Sequence, residues 1–236
     1  MKFLIIQFPG SNCDHDCLHA LQAIDGAEPQ LVWHRDVDFS QADAVVLPGG
    51  FSYGDYLRAG AIAGISPAIQ GLKKFAEAGG LVLGICNGFQ ILCEAGLLPG
   101  ALALNESQKF ICRFAQVRIE TTDSPFTFQQ HTGRVLRLPV AHGEGRYVAD
   151  SSTLSQLRRE NRILFRYDRG ETSSSNPNGS VDNIAGILNS ERNVLGMMPH
   201  PERACSALLG SEDGLAIFQA MVQYWSTVQQ RHSAAA

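Results

Sequence analysis

A short apolar run ending in a glycine-flanked cysteine constrains this chain most. Leu81-Val82-Leu83 has the length and residue types of a buried strand. Gly84-Ile85-Cys86-Asn87-Gly88 follows, and Phe89-Gln90-Ile91-Leu92-Cys93-Glu94 is compatible with a helix. The cysteine therefore falls where a strand turns sharply into a helix. Glycines two residues before and two after it permit the bend and the close approach of neighbouring backbone. This is the nucleophile-elbow layout, G-x-S-x-G, with cysteine in place of serine. The thiolate is the nucleophilic form of cysteine, and a helix N-terminus lowers a thiol pKa by favouring negative charge. The alternative is a buried cysteine that packs as a small hydrophobe. The elbow by itself leaves both readings open.

Other segments build a sheet around this turn. Lys2 to Phe8 reads as a buried strand closed by Pro9-Gly10. Ser11 or Asn12 can cap the next helix, which has Asp14 and Asp16 in its first turn and an apolar stripe of Leu18, Leu21 and Ile24. Leu31-Val32-Trp33 and Ala44-Val45-Val46-Leu47 read as further strands, the second ending at Pro48-Gly49-Gly50. A glycine-bearing loop, Phe51 to Gly60, precedes a helix from Ile69 to Ala78. Strands alternating with helices argue a mostly parallel central sheet with helices on both faces. Functional loops of such sheets lie at the C-terminal strand edge, where Gly49-Gly50 and Cys86 both fall.

After Gly100 the pattern changes. Phe110 to Ile119 and Arg134 to Leu138 alternate like half-exposed strands, which adds antiparallel strands to an α/β fold. Ala141-His142-Gly143-Glu144-Gly145-Arg146-Tyr147 follows. Thr153 to Asn161 reads as a helix, Ile163 to Tyr167 as a strand, and Gly170 to Ser180 as a surface loop. Ile184 to Leu188 and Val194 to Met198 are strands, the second running into Pro199-His200-Pro201-Glu202-Arg203. A last helix is expected from about Glu212 to Val228. The chain reads as one domain over residues 1–228, with a disordered tail over 229–236.

Composition narrows the function classes. With 236 residues, 44% hydrophobic and 18% charged, the chain is built to fold around one sizeable core. A net charge of -4 without a basic block gives no case for nucleic acid. No apolar run approaches membrane-spanning length, and Pro9-Gly10 ends the first one too early for a signal peptide, so a cytoplasmic location is expected. The 6 cysteines are expected as reduced thiols. Cys13-Asp14-His15-Asp16-Cys17 resembles a metal site superficially. No second Cys or His pair follows at zinc spacing, so it reads as a solvated first helical turn and no metal site is expected.

A cysteine hydrolase needs a base for the thiol proton and a partner that orients the base. His200 and Glu202 follow an apolar strand, and prolines on either side of His200 stiffen the backbone. In an extended segment residues i and i+2 point to one side, so the carboxylate can reach the imidazole. Alone, the pair could be a solvated surface loop; beside Cys86 it reads as the rest of a triad. His142 and Glu144 are a rival pair at the same spacing. Gly143 and Gly145 beside them suit a substrate-binding wall instead. Pro48-Gly49-Gly50 and the Asn87 N–H can supply an oxyanion hole.

Taken together, the Cys86 elbow, Pro48-Gly49-Gly50 and Pro199-His200-Pro201-Glu202 resemble a class I (triad) glutamine amidotransferase, a flavodoxin-like fold, along nearly the whole chain. Four further stretches are similar to one branch of that family, the free-standing glutaminase subunits of purine biosynthesis. They are Phe51 to Gly60, Phe110 to Arg113, Ala141 to Tyr147 and Asn176 to Ser180, together with Asn87 after the nucleophile. The resemblance implies hydrolysis of L-glutamine to glutamate and ammonia through a thioester on Cys86. His200 would move protons, Glu202 would orient it, and the Gly50 and Asn87 amides would hold the oxyanion. Gln90 would help bind glutamine beside the wall of His142, Gly143 and Glu144. Ammonia would pass to a synthetase subunit that converts formylglycinamide ribonucleotide to the amidine, with a small accessory subunit in the complex. The chain has no G-x-x-x-x-G-K motif, so ATP and Mg are expected on the synthetase and no cofactor here. The loops at Phe51 to Gly60 and near Asn176 are candidate docking surfaces. Two other classes remain: an independent cysteine hydrolase acting on γ-glutamyl compounds or peptides, and a non-catalytic binding module.

Overall fold

The computed structural model describes residues 1–168 and 176–235. In chain order the main elements are β1 (Lys2–Gln7), α1 (Asp14–Gln22), β2 (Glu28–Trp33), β3 (Ala44–Leu47), α2 (Ala61–Gly64), α3 (Pro67–Glu77), β4 (Leu81–Ile85) and α4 (Asn87–Glu94). They continue with β5 (Ala101–Ala103), β6 (Ile111–Ile119), β7 (Val135–His142), β8 (Arg146–Val148), α5 (Ser151–Arg159), β9 (Ile163–Tyr167), β10 (Ile184–Leu188), β11 (Val194–Met197) and α6 (Leu215–Ala235).

Nine strands form one sheet in the order β2-β1-β3-β4-β11-β10-β9-β6-β7. The pairings from β2 through β11 are parallel, and those from β11 through β7 are antiparallel. This is the expected parallel core with added antiparallel strands. Every residue of β3, β4 and β11 is buried. Their continuous Val, Leu, Ile and Met runs are what a strand covered on both faces requires. At the far end, β6 and β7 alternate buried and exposed positions, as strands with one wet face do.

The register of the central strands builds the site. In β3 and β4, Leu47 pairs with Gly84, and in β11 and β4, Met197 pairs with Ile85. All three strands are parallel and end level, so the residues after them emerge side by side at one edge. Those residues are Gly49 and Gly50 after β3, Cys86 after β4 and His200 after β11.

Some boundaries differ from the sequence reading. β7 runs on through His142, so the His142 to Gly145 segment begins inside a strand. The small β5-β8 pair was not anticipated. α6 reaches Ala235, taking in residues that the sequence reading left to a tail. Of the expected surface loop at Gly170 to Ser180, residues 170–175 lie outside the described part. The remainder is corrected: Asn178 and Ser180 are buried, with polar side chains serving main chain inside the protein. No helix among the described residues is long and apolar enough to cross a membrane.

Candidate active site

Cys86 is the residue between β4 and α4, with φ 50° and ψ -101°. A non-glycine residue in this region stores strain on the order of 1–3 kcal/mol and persists only where the surroundings enforce it. The enforcement is visible. The Cys86 N–H donates to Met197 O at 2.8 Å, which ties the elbow to β11. A Cβ on Gly88 would overlap the Leu47 carbonyl, and one on Gly84 would overlap Leu92 and the Gly88 carbonyl. The two flanking glycines are therefore required by close backbone approach, the physical content of the motif. Cys86 is 5% exposed, and its Sγ lies 3.8 Å from Ala141 O.

His200 and Glu202 are both fully inside. A short turn at Pro201–Arg203 brings the carboxylate back to the ring, and Glu202 Oε1 is 2.6 Å from His200 Nδ1. The His200 N–H donates to Pro139 O on β7 at 2.8 Å, fixing the ring's height over the sheet. Burial works to lower the His200 pKa. The Glu202 charge, then Cys86 and hydrogen bonding from Cys13 and Cys86, outweigh it and hold the imidazole well above its ordinary value. A ring biased toward the imidazolium is the right partner for a thiolate. His200 Nε2 is buried and has no partner of conventional hydrogen-bond geometry among the described residues. With Nδ1 committed to Glu202, Nε2 is the nitrogen left for proton transfer.

Gly50 has φ 144° and joins Ser11 in an isolated bridge. That bridge uses Phe51 N–H to Gly10 O and Asn12 N–H to Gly49 O. The Gly50 N–H has no partner among the described residues. Asn87 is the first residue of α4, where main-chain N–H groups lack intrahelical acceptors. Gly49 packs against His200: a Cβ there would stand 2.8 Å from His200 Cε1.

The residues expected to line the glutamine pocket form one network. The Asn87 Oδ1 accepts from Ser52 N–H at 3.1 Å, and its Nδ2 donates to Gln90 Oε1 at 2.9 Å. Gln90 Nε2 donates to Glu144 O at 2.6 Å, so α4 is tied directly to the 142–145 wall. His142 lies beneath that wall rather than on its face. Its Nδ1 meets Asn105 Oδ1 at 3.0 Å, and Asn178 Nδ2 approaches Nε2 at 3.4 Å. Burial, then the His200 charge, push its pKa down to about 4. Both ring nitrogens are thus used in holding Gly145 and its neighbours, and a Cβ on Gly145 would collide with the ring. His142 is built as a neutral strut, which separates it from the rival role of base.

Sequence reasoning missed Cys13 and Arg203. Cys13 is buried beside His200, and the Arg203 guanidinium donates to its Sγ at 2.8 Å. The expectation of a solvated turn at Cys13 is corrected: Cys13 and Cys17 are 1% and 0% exposed. The available signal was position, since Cys13 follows the β1 turn at the same sheet edge as Gly49. Cys13, His200 and Glu202 bring ligand-type atoms within 4.8 Å of one another. The guanidinium on Cys13 supplies positive charge there and Nδ1 already serves Glu202, so the donor set suits proton transfer better than a cation.

Comparison with known proteins agrees with this geometry. Residues 1–225 match the family described as "CobB/CobQ-like glutamine amidotransferase domain". A protein of Koribacter versatilis named phosphoribosylformylglycinamidine synthase subunit PurQ is 55% identical over 225 residues, covering 94% of this chain and 97% of its own. A PurQ of Methanosarcina acetivorans is 52% identical over 227 residues, covering 95% and 98%. Among solved structures, a chain of PurLQS from Thermotoga maritima superposes with a TM-score of 0.85 at 45% identity, covering 95% of this chain and 98% of that one. The chain belongs to the CobB/CobQ-like glutamine amidotransferase family and, within it, groups with the PurQ subunits of phosphoribosylformylglycinamidine synthase.

Proposed function

We propose that this chain is a glutaminase subunit that hydrolyses the side-chain amide of L-glutamine and hands ammonia to a synthetase subunit in purine biosynthesis. The observation that carries the reading is the strained Cys86 at the α4 N-terminus, level with a buried His200-Glu202 pair at 2.6 Å.

The steps follow from the geometry. Cys86 Sγ, its proton transferred to His200 Nε2, attacks the amide carbon, and the C=O π pair moves to oxygen. The Gly50 and Asn87 N–H groups hold that oxyanion. When the C–N bond breaks, His200 returns the proton to nitrogen and ammonia leaves, with a γ-glutamyl thioester on Cys86. His200 then takes a proton from water, hydroxide attacks the thioester, and Cys86 departs as thiolate with glutamate released. Glu202 keeps the ring in one orientation and offsets its charge. Gly143 and Glu144, held from beneath by His142, and the Gln90 amide shape the space for the amino acid.

The ammonia is used elsewhere. In this reading the synthetase subunit holds ATP and Mg, makes formylglycinamidine ribonucleotide, and sits in a cytoplasmic complex with a small accessory subunit. The similarity to a chain of PurLQS from T. maritima supports the association with partner subunits.

Ammonia release from glutamine tests the reading. It is measured with the chain alone and with the synthetase, its nucleotide and ATP. Low release alone that rises in the mixture is expected. Equal, high release in both would make the chain an independent hydrolase and remove the partner from the account.

A further inference from the structure

Glu202 is a buried carboxylate that the base alone cannot always balance. It is 3% exposed, and its Oε2 has no partner among the described residues. Its Oε1 meets His200 Nδ1 at 2.6 Å. In the proposed cycle His200 is an imidazolium in one step and a neutral ring in the next. Each time the ring is neutral, Glu202 is a buried charge without its counter-charge, which is costly. That cost holds the proton on His200 and opposes its transfer to the leaving nitrogen.

A second cation stands beside the carboxylate. Arg203 Nε lies 4.0 Å from Glu202 Oε1 and 3.4 Å from Asp16 Oδ2. The guanidinium Nη2 donates to Cys13 Sγ at 2.8 Å. Cys13 is a fixed anchor. It is the N-cap residue of α1, and its N–H donates to Gly49 O at 3.2 Å. A Cβ on Gly49 would stand 3.0 Å from Cys13 Sγ, so the thiol packs against the same glycine as the His200 ring. Burial pushes the Cys13 thiol up against the pull of His200 and Arg203. A neutral thiol accepts from the guanidinium without cancelling its charge. Asp16 cancels part of that charge, but its side chain is 46% exposed and water screens the pair.

The other groups around His200 leave this role to Arg203. Cys86 approaches from the elbow, Cys13 from the start of α1 and Glu202 from the same turn. His142 on β7 is neutral, because burial, then the His200 charge, push its pKa down to about 4. Asp16 reaches the set through Arg203. Arg203 is the one permanent cation among these groups.

We propose that Arg203, anchored by Cys13 and Asp16, is a positioning residue that keeps Glu202 ionised and in place while His200 gives up its proton. The role rests on the glutaminase reading, but its first test does not need glutamine turnover.

Histidine NMR of the full chain, with the Cε1 carbons labelled, follows the protonation of His200 across pH. A Cys86→Ala background removes the coupled thiol, and His200→Ala in that background assigns the signal. Arg203→Met takes away a positive charge and should raise the His200 midpoint by about half a pH unit or more. Arg203→Lys keeps the charge and should restore the midpoint. Asp16→Asn removes the opposing charge and should lower it. A residue that merely ties the turn to α1 would act in the other direction, since a loosened Glu202 lets the midpoint of Arg203→Met fall. With Cys86 intact and the synthetase present, Arg203→Met should lower kcat for glutamine by about tenfold with KM unchanged. A midpoint that stays or falls in Arg203→Met, a shift of equal size in Arg203→Lys, or a loss carried by KM would overturn the proposal. Should Arg203→Met fail to fold, Asp16→Asn decides, and a midpoint that stays or rises there counts against it. A wild-type complex that releases no ammonia would instead remove the glutaminase reading, whatever the midpoints do.

Discussion

The two histidines near Cys86 sit in opposite electrostatic environments, and their variants should behave differently. His200→Ala is expected to reduce glutaminase turnover by about a thousandfold or more, because base and acid are lost together. His142→Asn should cost less than about tenfold in turnover and act mainly on stability. The sign for His142 follows from its folded pKa of about 4, below the ordinary 6.5. Between those values the unfolded chain binds the proton and the folded one does not, so stability is lost as pH falls through that window. His142→Asn should therefore gain stability relative to wild type from about pH 6.5 down to about pH 4, read from urea midpoints. A constant difference across that range would contradict the buried neutral ring. Asp55 runs the other way. Burial, then Glu144, raise its carboxyl to about 6. Ionisation is thus disfavoured in the folded state, and the penalty is present above that pKa and relieved as pH falls toward the ordinary 3.8. Asp55→Asn should stabilise at pH 8 relative to wild type, with the advantage fading in acid. An advantage that does not change with pH would refute it.

Among the elements, the β4-Cys86-α4 unit carries the most local information. Its glycines are fixed by contact rather than by flexibility, since Gly88 faces the Leu47 carbonyl across the β3-α4 approach. Gly88→Ala should destabilise by roughly 3 kcal/mol, because backbone on both sides would have to move. A melting temperature equal to wild type would show that the elbow has slack. This unit was legible in the sequence because strand, bend and helix are local and each has its own residue signature. The His200-Glu202 contact was legible for the same reason: the two residues are two apart after an apolar strand. What could not be read were side-chain contacts between distant segments that carry no motif of their own. Cys13 and Arg203 lie 190 positions apart, and their contact at 2.8 Å exists only because α1 and the turn after β11 meet at one edge. The Asn105 and Asn178 supports of His142 were hidden for the same reason. The β5-β8 pair was too short to carry a period, and the inward turn of Asn178 was masked by a composition typical of surface loops.

On the scale of the molecule, the sheet divides the labour. Its parallel half brings Cys86, His200 and the Gly49-Gly50 turn together at neighbouring strand ends, and its antiparallel half carries β7, which leads into the 142–145 segment beside them. The loop after β3 joins the site to the outside. Ser52 touches Asn87, while Tyr56 and Leu57 are 75% and 87% exposed. As a docking surface for the synthetase, this loop should be sensitive to charge. Leu57→Asp is expected to weaken complex formation by about tenfold or more while leaving the isolated fold unchanged. Unaltered assembly in ultracentrifugation would move the interface elsewhere. In the proposed reaction one thiol, Cys86, carries the glutamyl group. The most direct measurement is acid quenching of the assembled complex during turnover of labelled glutamine, followed by peptide mapping. Label is expected on the Cys86 peptide alone and absent in Cys86→Ala. Label on Cys13, or steady ammonia release without any covalent label, would contradict it.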